Sequence, residues 1–574
     1  MNRLREWIDA THGAKFELVR HFLARMLDGE WSSMPGQWQN VAVSAFALLA
    51  PGGMLLLRSG SQNQTKFRLL AMLHDPAPLR AARLADELGL LTLLFAVTGL
   101  IGLIQWQNFF PGRRDYLSLA GLPVRSRQVF LARFAAVLLF STALVVSMNL
   151  LPSLTSPHIG AQAAASALGC FFVLFAMIAL QGVLLNSLPA SLFARVSAYV
   201  QGILVGVLIL AGLASWSIRE WRPATVAKLP EFGSWAPPVW FAGLYQLILG
   251  DRDPFLHRMA TRALIAVAAA AALTALTYFV SFRRYRRLLV EAPVHLEVHR
   301  KRAWSLLRLA ARGPQQEAIL QFMAKTLARS RAHRVIWLAY IGAAIGVVLN
   351  SSLIDGAFLA RSTDLTRAAK FAVLFWPLGT SVILLNGLHH MLSIPAELPA
   401  NWIFRATESQ GRRQWMTAVG RFVILYAVAP IYVPVFPVSA SILGWPIALR
   451  LTVLQVLVSL TMFELLFDSW QQLPFACSYS PGKRPLVTIA AKYFVVLAIL
   501  VPALAIVVRA GAEFNGLFLI YGPIFAAIWM WARRRRLEGW GESVLLYEDV
   551  PGDMPNLGIR ELTWGRLPQH KESS

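Results

Sequence analysis

Long apolar runs recur along almost the whole chain, and they restrict its fold more than any other feature of the sequence. Residues 90–105 are nearly all aliphatic, and residues 130–151 repeat the pattern. A helix crosses the ~30 Å hydrocarbon core of a bilayer with ~20 such residues. Strands of outer-membrane barrels alternate apolar and polar residues, whereas these runs are continuous. The sequence therefore predicts an all-α, polytopic helical membrane protein.

The number of runs predicts about 12 transmembrane helices. Only 15% of the residues are charged, against about 25% in a soluble domain, which agrees with a chain that lies mostly in lipid. The predicted spans cover 39–57, 89–107, 129–151, 163–187, 196–217, 263–281, 335–353, 371–391, 415–435, 447–467, 488–508 and 516–532.

The basic residues predict the orientation of the chain. Its formal net charge is +24, and the largest basic blocks are "FRRYRRLL" at 282–289, "HRKRAW" at 299–304 and "RRRR" at 533–536. Lys and Arg are enriched in cytoplasmic loops, and all three blocks are cytoplasmic if both termini are. No nucleic-acid recognition motif accompanies them. The sequence predicts a protein of the bacterial inner membrane that contacts lipid and binds no nucleic acid.

Two similar segments indicate an internal repeat. "ELVRHFLARML" begins at Glu17 and "EAILQFMAKTL" begins at Glu317, and each precedes the first span of a six-span set. Both place apolar residues at helical spacing with basic residues opposite, which is typical of a helix on the membrane surface. Chance similarity between two amphipathic helices is the alternative. The matched pairs are Glu17/Glu317, Phe22/Phe322, Ala24/Ala324, Arg25/Lys325 and Leu27/Leu327.

A second pair of segments extends the repeat. "RSRQVFLARF" leads into the third span and "GRRQWMTAVGRF", residues 411–422, leads into the ninth; the Arg-Phe pairs are Arg133–Phe134 and Arg421–Phe422. Halves with an even number of spans keep the same orientation, so we predict two parallel six-helix repeats. The predicted organisation is a first half at 1–281, a basic cytoplasmic linker at 282–313, a second half at 314–532 and a cytoplasmic tail at 533–574.

A charged stretch interrupts the apolar pattern between the second and third spans: "NFFPGRRDYLSLAGLPVRSRQVF", residues 108–130. Burying Arg113, Arg114 and Asp115 would cost several kcal/mol, so these side chains stay in water or meet a partner. A solvated loop is the alternative. A charged stretch at the same place in both halves favours a partner surface.

The sequence contains no recognisable catalytic, cofactor-binding or metal-binding motif. There is no GxxxxGK[ST] loop and no zinc-ligand spacing, and His389 and His390 are adjacent, so they point about 100° apart on a helix. Glu464 and Lys492 fall near the ends of predicted spans, where snorkelling to the interface is the ordinary explanation. Secondary transport usually needs buried carboxylates or histidines, so this pattern counts against it.

The arrangement resembles the membrane subunits of type-2 ATP-binding-cassette exporters, which have an amphipathic helix before span one and a charged element between spans two and three. In that family the charged element is a coupling helix that contacts a separate ATPase subunit. The resemblance assigns this role to Arg113, Arg114, Asp115, Leu122, Pro123, Val124 and Arg127.

A weaker second copy, "SIPAELPANWIFRATESQGRRQW", begins at Ser393 and lacks the Arg-Asp pair. Its candidate contact residues are Asn401, Trp402, Arg405, Glu408, Arg412 and Arg413.

Family members pair six-span units as dimers, so the resemblance implies a fused, pseudo-dimeric permease. The ATP hydrolysis would take place in a cytoplasmic ATPase subunit, and this chain itself would be no enzyme and hold no cofactor. Two other classes remain open at this point: an ion-coupled secondary transporter or channel, and a membrane scaffold or membrane-embedded enzyme.

Overall fold

The computed structural model of the chain describes most of both predicted halves. The described residues are 16–23, 26, 67, 70, 72, 76–110, 126–219, 221, 223–290, 310–359, 365–394, 412–468, 470, 474–475 and 501–542. All regular structure among them is helical. Within this part of the chain, nine helices are long and apolar enough to cross a membrane. The predicted class, an all-α membrane protein with many spans, is confirmed at that level.

The helices are numbered here in chain order. The first part contains α1 (16–23), α2 (Pro76–Ile104), α3 (Ser126–Thr155), α4 (Ile159–Ser187), α5 (Ala190–Arg219), α6 (Pro223–Ala227), α7 (Leu229–Phe232), α8 (Pro237–Ile248) and α9 (Pro254–Val290). The second part contains α10 (Pro314–Arg329), α11 (Arg331–Leu359), α12 (Leu365–Leu392), α13 (Arg412–Val423), α14 (Ala429–Leu443), α15 (Trp445–Leu466), α16 (Val501–Glu513) and α17 (Asn515–Glu542). A π-helical turn, Ile424–Val428, joins α13 to α14.

The nine apolar helices coincide with nine of the predicted spans. Of the remaining three, 39–57 lies outside the described residues. The span at 335–353 falls in α11, which is not among the nine, and 488–508 is described only from Val501, where α16 begins. The total of about 12 spans and the repeat arrangement stay predictions.

The start of the second span was predicted wrongly. The predicted span begins at 89, whereas α2 begins at Pro76. Asp86 and Glu87 come just before the start of the predicted span. In the structure Asp86 pairs with Arg219, 3.6 Å away, and Glu87 is buried. Neighbouring helices accommodate these side chains, so the helix runs through them.

The first part of the chain is built around α2, which packs against α4 and α5. The indole N–H of Trp106 donates to the hydroxyl of Ser197 at 2.9 Å, and the amide of Gln201 donates to the Leu103 carbonyl at 2.9 Å. Residues later in the α2 segment thus contact residues earlier in α5, so the two helices are antiparallel. This direction agrees with their prediction as second and fifth spans.

The helices α5 and α11 join the two predicted halves through a pair of G-x-x-x-G sequences, "GILVG" at 202–206 and "GAAIG" at 342–346. A Cβ placed on Gly342 would lie 2.4 Å from the Cα of Gly206, so the two backbones touch. Leu338 fits against Gly202, and Gly346 lies beside Leu210. At these contacts the residue numbers increase in the same direction along both helices, so the helices are parallel. Small residues allow this close approach in lipid, where dispersion contacts replace the hydrophobic effect.

Candidate functional site

The predicted coupling stretch is described only at its end. Arg127 is exposed and lies in the first turn of α3. The other predicted contact residues, Arg113, Arg114, Asp115, Leu122, Pro123 and Val124, lie outside the described residues. Because α3 begins at Ser126, a displacement at Arg127 acts directly on a helix of 30 residues.

The weaker second copy is described to a similar extent. Arg412 and Arg413 are the first two residues of α13. The remaining candidates, Asn401, Trp402, Arg405 and Glu408, lie outside the described residues. In both halves, the last basic residues of the charged stretch therefore begin the helix that enters the following span.

In the first half, α1 packs on the beginning of α3. Leu18 and Phe22 are buried together with Val129 and Ala132 of α3. The guanidinium of Arg133, whose residue is 1% exposed, lies 4.9 Å from the centre of the Phe22 ring. A cation over an aromatic face is stabilising, more so away from water. Arg133, the arginine of the first predicted Arg-Phe pair, thus contacts the amphipathic helix α1.

The second half has the same arrangement. The helix α10 packs on α13, and Arg421 donates from Nη1 to the Gln316 side-chain oxygen at 2.6 Å and to the Ala310 carbonyl at 2.7 Å. The apolar side chains that the two helices bury together are Ile319, Leu320, Met323, Met416, Val419 and Phe422. The arginine of each Arg-Phe pair thus contacts the preceding amphipathic segment, through a cation–π contact at Arg133 and through hydrogen bonds at Arg421.

The two surface helices differ in which residues they bury. Each buries a stripe with a spacing of four residues: Leu18, Phe22 and Met26 in and just after α1, and Ile319, Met323 and Leu327 in α10. The sequence match pairs position 17 with 317, so the stripes are one position apart in that register. One residue turns a helix by 100°, which explains why Phe322, matched to the buried Phe22, is only partly buried.

Further contacts anchor the starts of both charged stretches. Gln105, at the end of α2, donates to the carbonyl of Met26 at 2.8 Å. At the other stretch, the ring Nε2 of His333 is 3.0 Å from the Ile394 carbonyl, and the Phe475 N–H donates to the Leu392 carbonyl at 3.0 Å. Each charged stretch is therefore held near its beginning and at its end.

A buried polar cluster in the first half was missed by the sequence interpretation. Glu87 is 7% exposed, and its Oε1 has no hydrogen-bond partner. It lies next to Gln162 of α4, which is 1% exposed and whose Nε2 also has no partner. The available signal was the Asp86-Glu87 pair directly before an apolar run. The predicted span, 89–107, began just after this pair.

Glu464 was also interpreted wrongly. Snorkelling would leave its carboxylate in water, whereas Glu464 and Arg536 are each 4% exposed and form an ion pair. A neighbouring pair joins Arg535 to Asp468 at 3.2 Å. Two arginines of the "RRRR" block therefore bind carboxylates on or just after α15, so the block has a structural role beside its topological one.

The adjacent histidines pack among aromatic side chains. His390 Nδ1 lies 3.1 Å from the Tyr340 hydroxyl, and the His389 ring contacts Phe467 edge-on. Among the residues that the structure describes, no group of three or more His, Cys, Asp or Glu side chains could hold a metal ion.

The fold places the chain in the class of polytopic helical membrane proteins. No known family model matches its sequence, and neither curated proteins nor solved structures give a match.

Proposed function

We propose that the chain is the membrane permease of a type-2 ATP-binding-cassette exporter. It would consist of two fused six-span units in the bacterial inner membrane and would move its substrate by ATP hydrolysis in a separate cytoplasmic ATPase. One observation carries the proposal: in both halves, an amphipathic helix is clamped to the helix that leaves a charged stretch. The clamping residues are Arg133 with Phe22, and Arg421 with Gln316.

The clamp gives the charged stretch a mechanical role. The stretch at 108–125 leaves α2 near Gln105 and enters α3 at Ser126. The segment that contains α1 contacts both sides, through Met26 and Phe22. A force on the stretch would reach two spans and the surface helix together, because packed side chains carry the displacement. A stretch that was only a solvated loop would not need contacts on both of its sides.

The central experiment is a double charge reversal, Arg114→Glu with Asp115→Arg. The full chain is purified from native membranes, and copurifying ATPases are identified by mass spectrometry. We expect the wild type to retain an ATP-binding-cassette ATPase and the double variant to lose it, because an interfacial charge pair contributes ~2–5 kcal/mol to binding. Both residues lie outside the predicted spans, so insertion should be unchanged.

Two further variants are compared with this double variant. Arg258→Glu reverses an exposed charge that the predicted topology places on the outer side, and it should retain the ATPase. Arg412→Glu with Arg413→Glu tests the weaker second copy and should reduce binding less than the first pair. If no ATPase copurifies with the wild type, or if the Arg114/Asp115 variant retains it fully, the permease proposal fails.

A further inference from the structure

The Glu87 carboxyl lies in an environment that an ionised carboxylate does not tolerate alone. It belongs to α2, which is long and apolar enough to span a membrane over Ala77–Ile104, and its residue is only 7% exposed. Its Oε1 accepts no hydrogen bond. An isolated buried charge costs so much solvation energy that such a group becomes neutral or binds a counter-ion.

The nearest cation is already engaged by another carboxylate. Arg219 of α5 lies 3.6 Å from Asp86, which is the more exposed of the two acids, with a side chain 29% exposed. The aliphatic part of Arg219 packs against Gly89, where a Cβ would lie 2.4 Å from its Cγ. The guanidinium is therefore held on the Asp86 side and cannot neutralise both acids.

The charged groups around Glu87 are engaged elsewhere or reach solvent. Arg219 of α5 pairs with Asp86, Arg83 lies one turn before Glu87 on the same helix and is exposed, and Tyr245 comes from the short helix α8. From α4 the facing side chain is Gln162, which carries no charge. Among the described residues, no cation therefore forms an ion pair with Glu87.

Other buried polar atoms lie on the helices α3 and α4. Asn149 Oδ1 and Ser153 Oγ on α3, and Gln162 Nε2 on α4, are buried without hydrogen-bond partners. Asn149 lies beside Cys170, which accepts a hydrogen bond from Thr98 at 3.4 Å. Buried polar groups are normally satisfied by protein or by ordered water, so these groups suit a polar path among α2, α3 and α4.

We propose that the Glu87 carboxyl is a proton-binding site. In the packed bundle it holds a proton on one oxygen, which makes the carboxyl neutral, and it releases that proton to water when the pH is raised. The proposal concerns the bundle alone and does not depend on the ATPase partner.

A carbodiimide tests the wild-type protein without any substitution. The reagent attacks protonated carboxyls in apolar surroundings and leaves a covalent adduct that peptide mass spectrometry locates. Glu87 should be labelled at neutral pH, and its labelling rate should fall about tenfold for each pH unit above its titration point. Glu464 is equally buried but ion-paired with Arg536, so it is a matched control that should stay unlabelled.

An infrared titration in lipid gives a second readout. The carbonyl stretch of a protonated carboxyl should persist well above about pH 4.3, where an exposed Glu has lost half of its protons. Glu87→Gln should remove this band. The proposal is overturned if Glu87 resists the carbodiimide across the pH range, or if Glu87→Gln gives the same titration as the wild type. Loss of ATPase binding would change neither measurement.

Discussion

The helix pairs α4–α9 and α15–α17 have corresponding places in the predicted repeat, and their predicted inner ends are held by different chemistry. In the first pair, the Asn186 amide donates to the Thr277 carbonyl at 3.2 Å and to the Ser281 hydroxyl at 2.9 Å. In the second pair, Glu464 and Arg536 form a buried ion pair. The first half uses neutral groups where the second half uses charges.

The two kinds of contact should respond differently when one of their residues is removed. Removing one member of a neutral network leaves small dipoles unsatisfied, and these cost about 1–3 kcal/mol. Removing one member of a buried ion pair leaves a bare charge, although replacing both members by apolar residues is often harmless. The second half should therefore depend more strongly on single residues.

The largest expected effect is that of Glu464→Ala. It leaves Arg536 buried without its carboxylate, and the free energy of unfolding should fall by about 3–5 kcal/mol. Denaturant unfolding of the protein in mixed micelles measures it. The double variant Glu464→Met with Arg536→Met should recover most of that loss. An unchanged stability in the single variant would show that the pair is not buried in the membrane.

A smaller effect is expected from Asn186→Ala in the first half. The variant removes the amide that bridges Thr277 and Ser281, and it should lower the free energy of unfolding by about 1–3 kcal/mol. The same unfolding experiment applies, with the exposed Thr142→Ala as a control. A loss equal to that of Glu464→Ala would remove the distinction between the two halves.

The next prediction concerns a dependence of stability on pH through His333 in the second half. Burial lowers the pKa of His333, partly opposed by its hydrogen bond to the Ile394 carbonyl. The folded protein therefore favours the neutral ring. Its stabilising contribution is complete above the unfolded pKa of about 6.5 and is lost as pH falls through the lower, folded-state pKa.

Thermal unfolding at a series of pH values measures this contribution. The wild type should lose stability on acidification below about pH 6.5 relative to His333→Gln, which keeps hydrogen-bonding groups but cannot be charged. Parallel curves for the two proteins would contradict the prediction.

The smallest effect is expected at the second ion pair of the "RRRR" block. Arg535 and Asp468 are 61% and 28% exposed, so water screens their attraction. Asp468→Asn should change the free energy of unfolding by about 0–1 kcal/mol. A loss as large as that of Glu464→Ala would mean that exposure does not decide the strength of these pairs.

The sequence predicted the positions of nine membrane helices because a bilayer demands continuous apolar runs, and each run is visible locally. It also drew attention to Arg133 and Arg421 as markers of a predicted repeat, although it did not predict their contacts with α1 and α10. It could not predict the Glu464–Arg536 pair, because 72 residues separate the partners and no local pattern joins them. Glu87 was missed for a related reason: whether an acid lies inside a span depends on the helices around it.

The glycine contact between α5 and α11 has a consequence for the kinematics of the molecule. At the crossing, Gly206 and Gly342 touch through their backbones, so there is no side chain that would have to rotate when the helices tilt. One step away, Leu338 sits in the notch at Gly202 and opposes sliding along the helix axes. We therefore expect this contact to hold α5 and α11 at one height in the membrane.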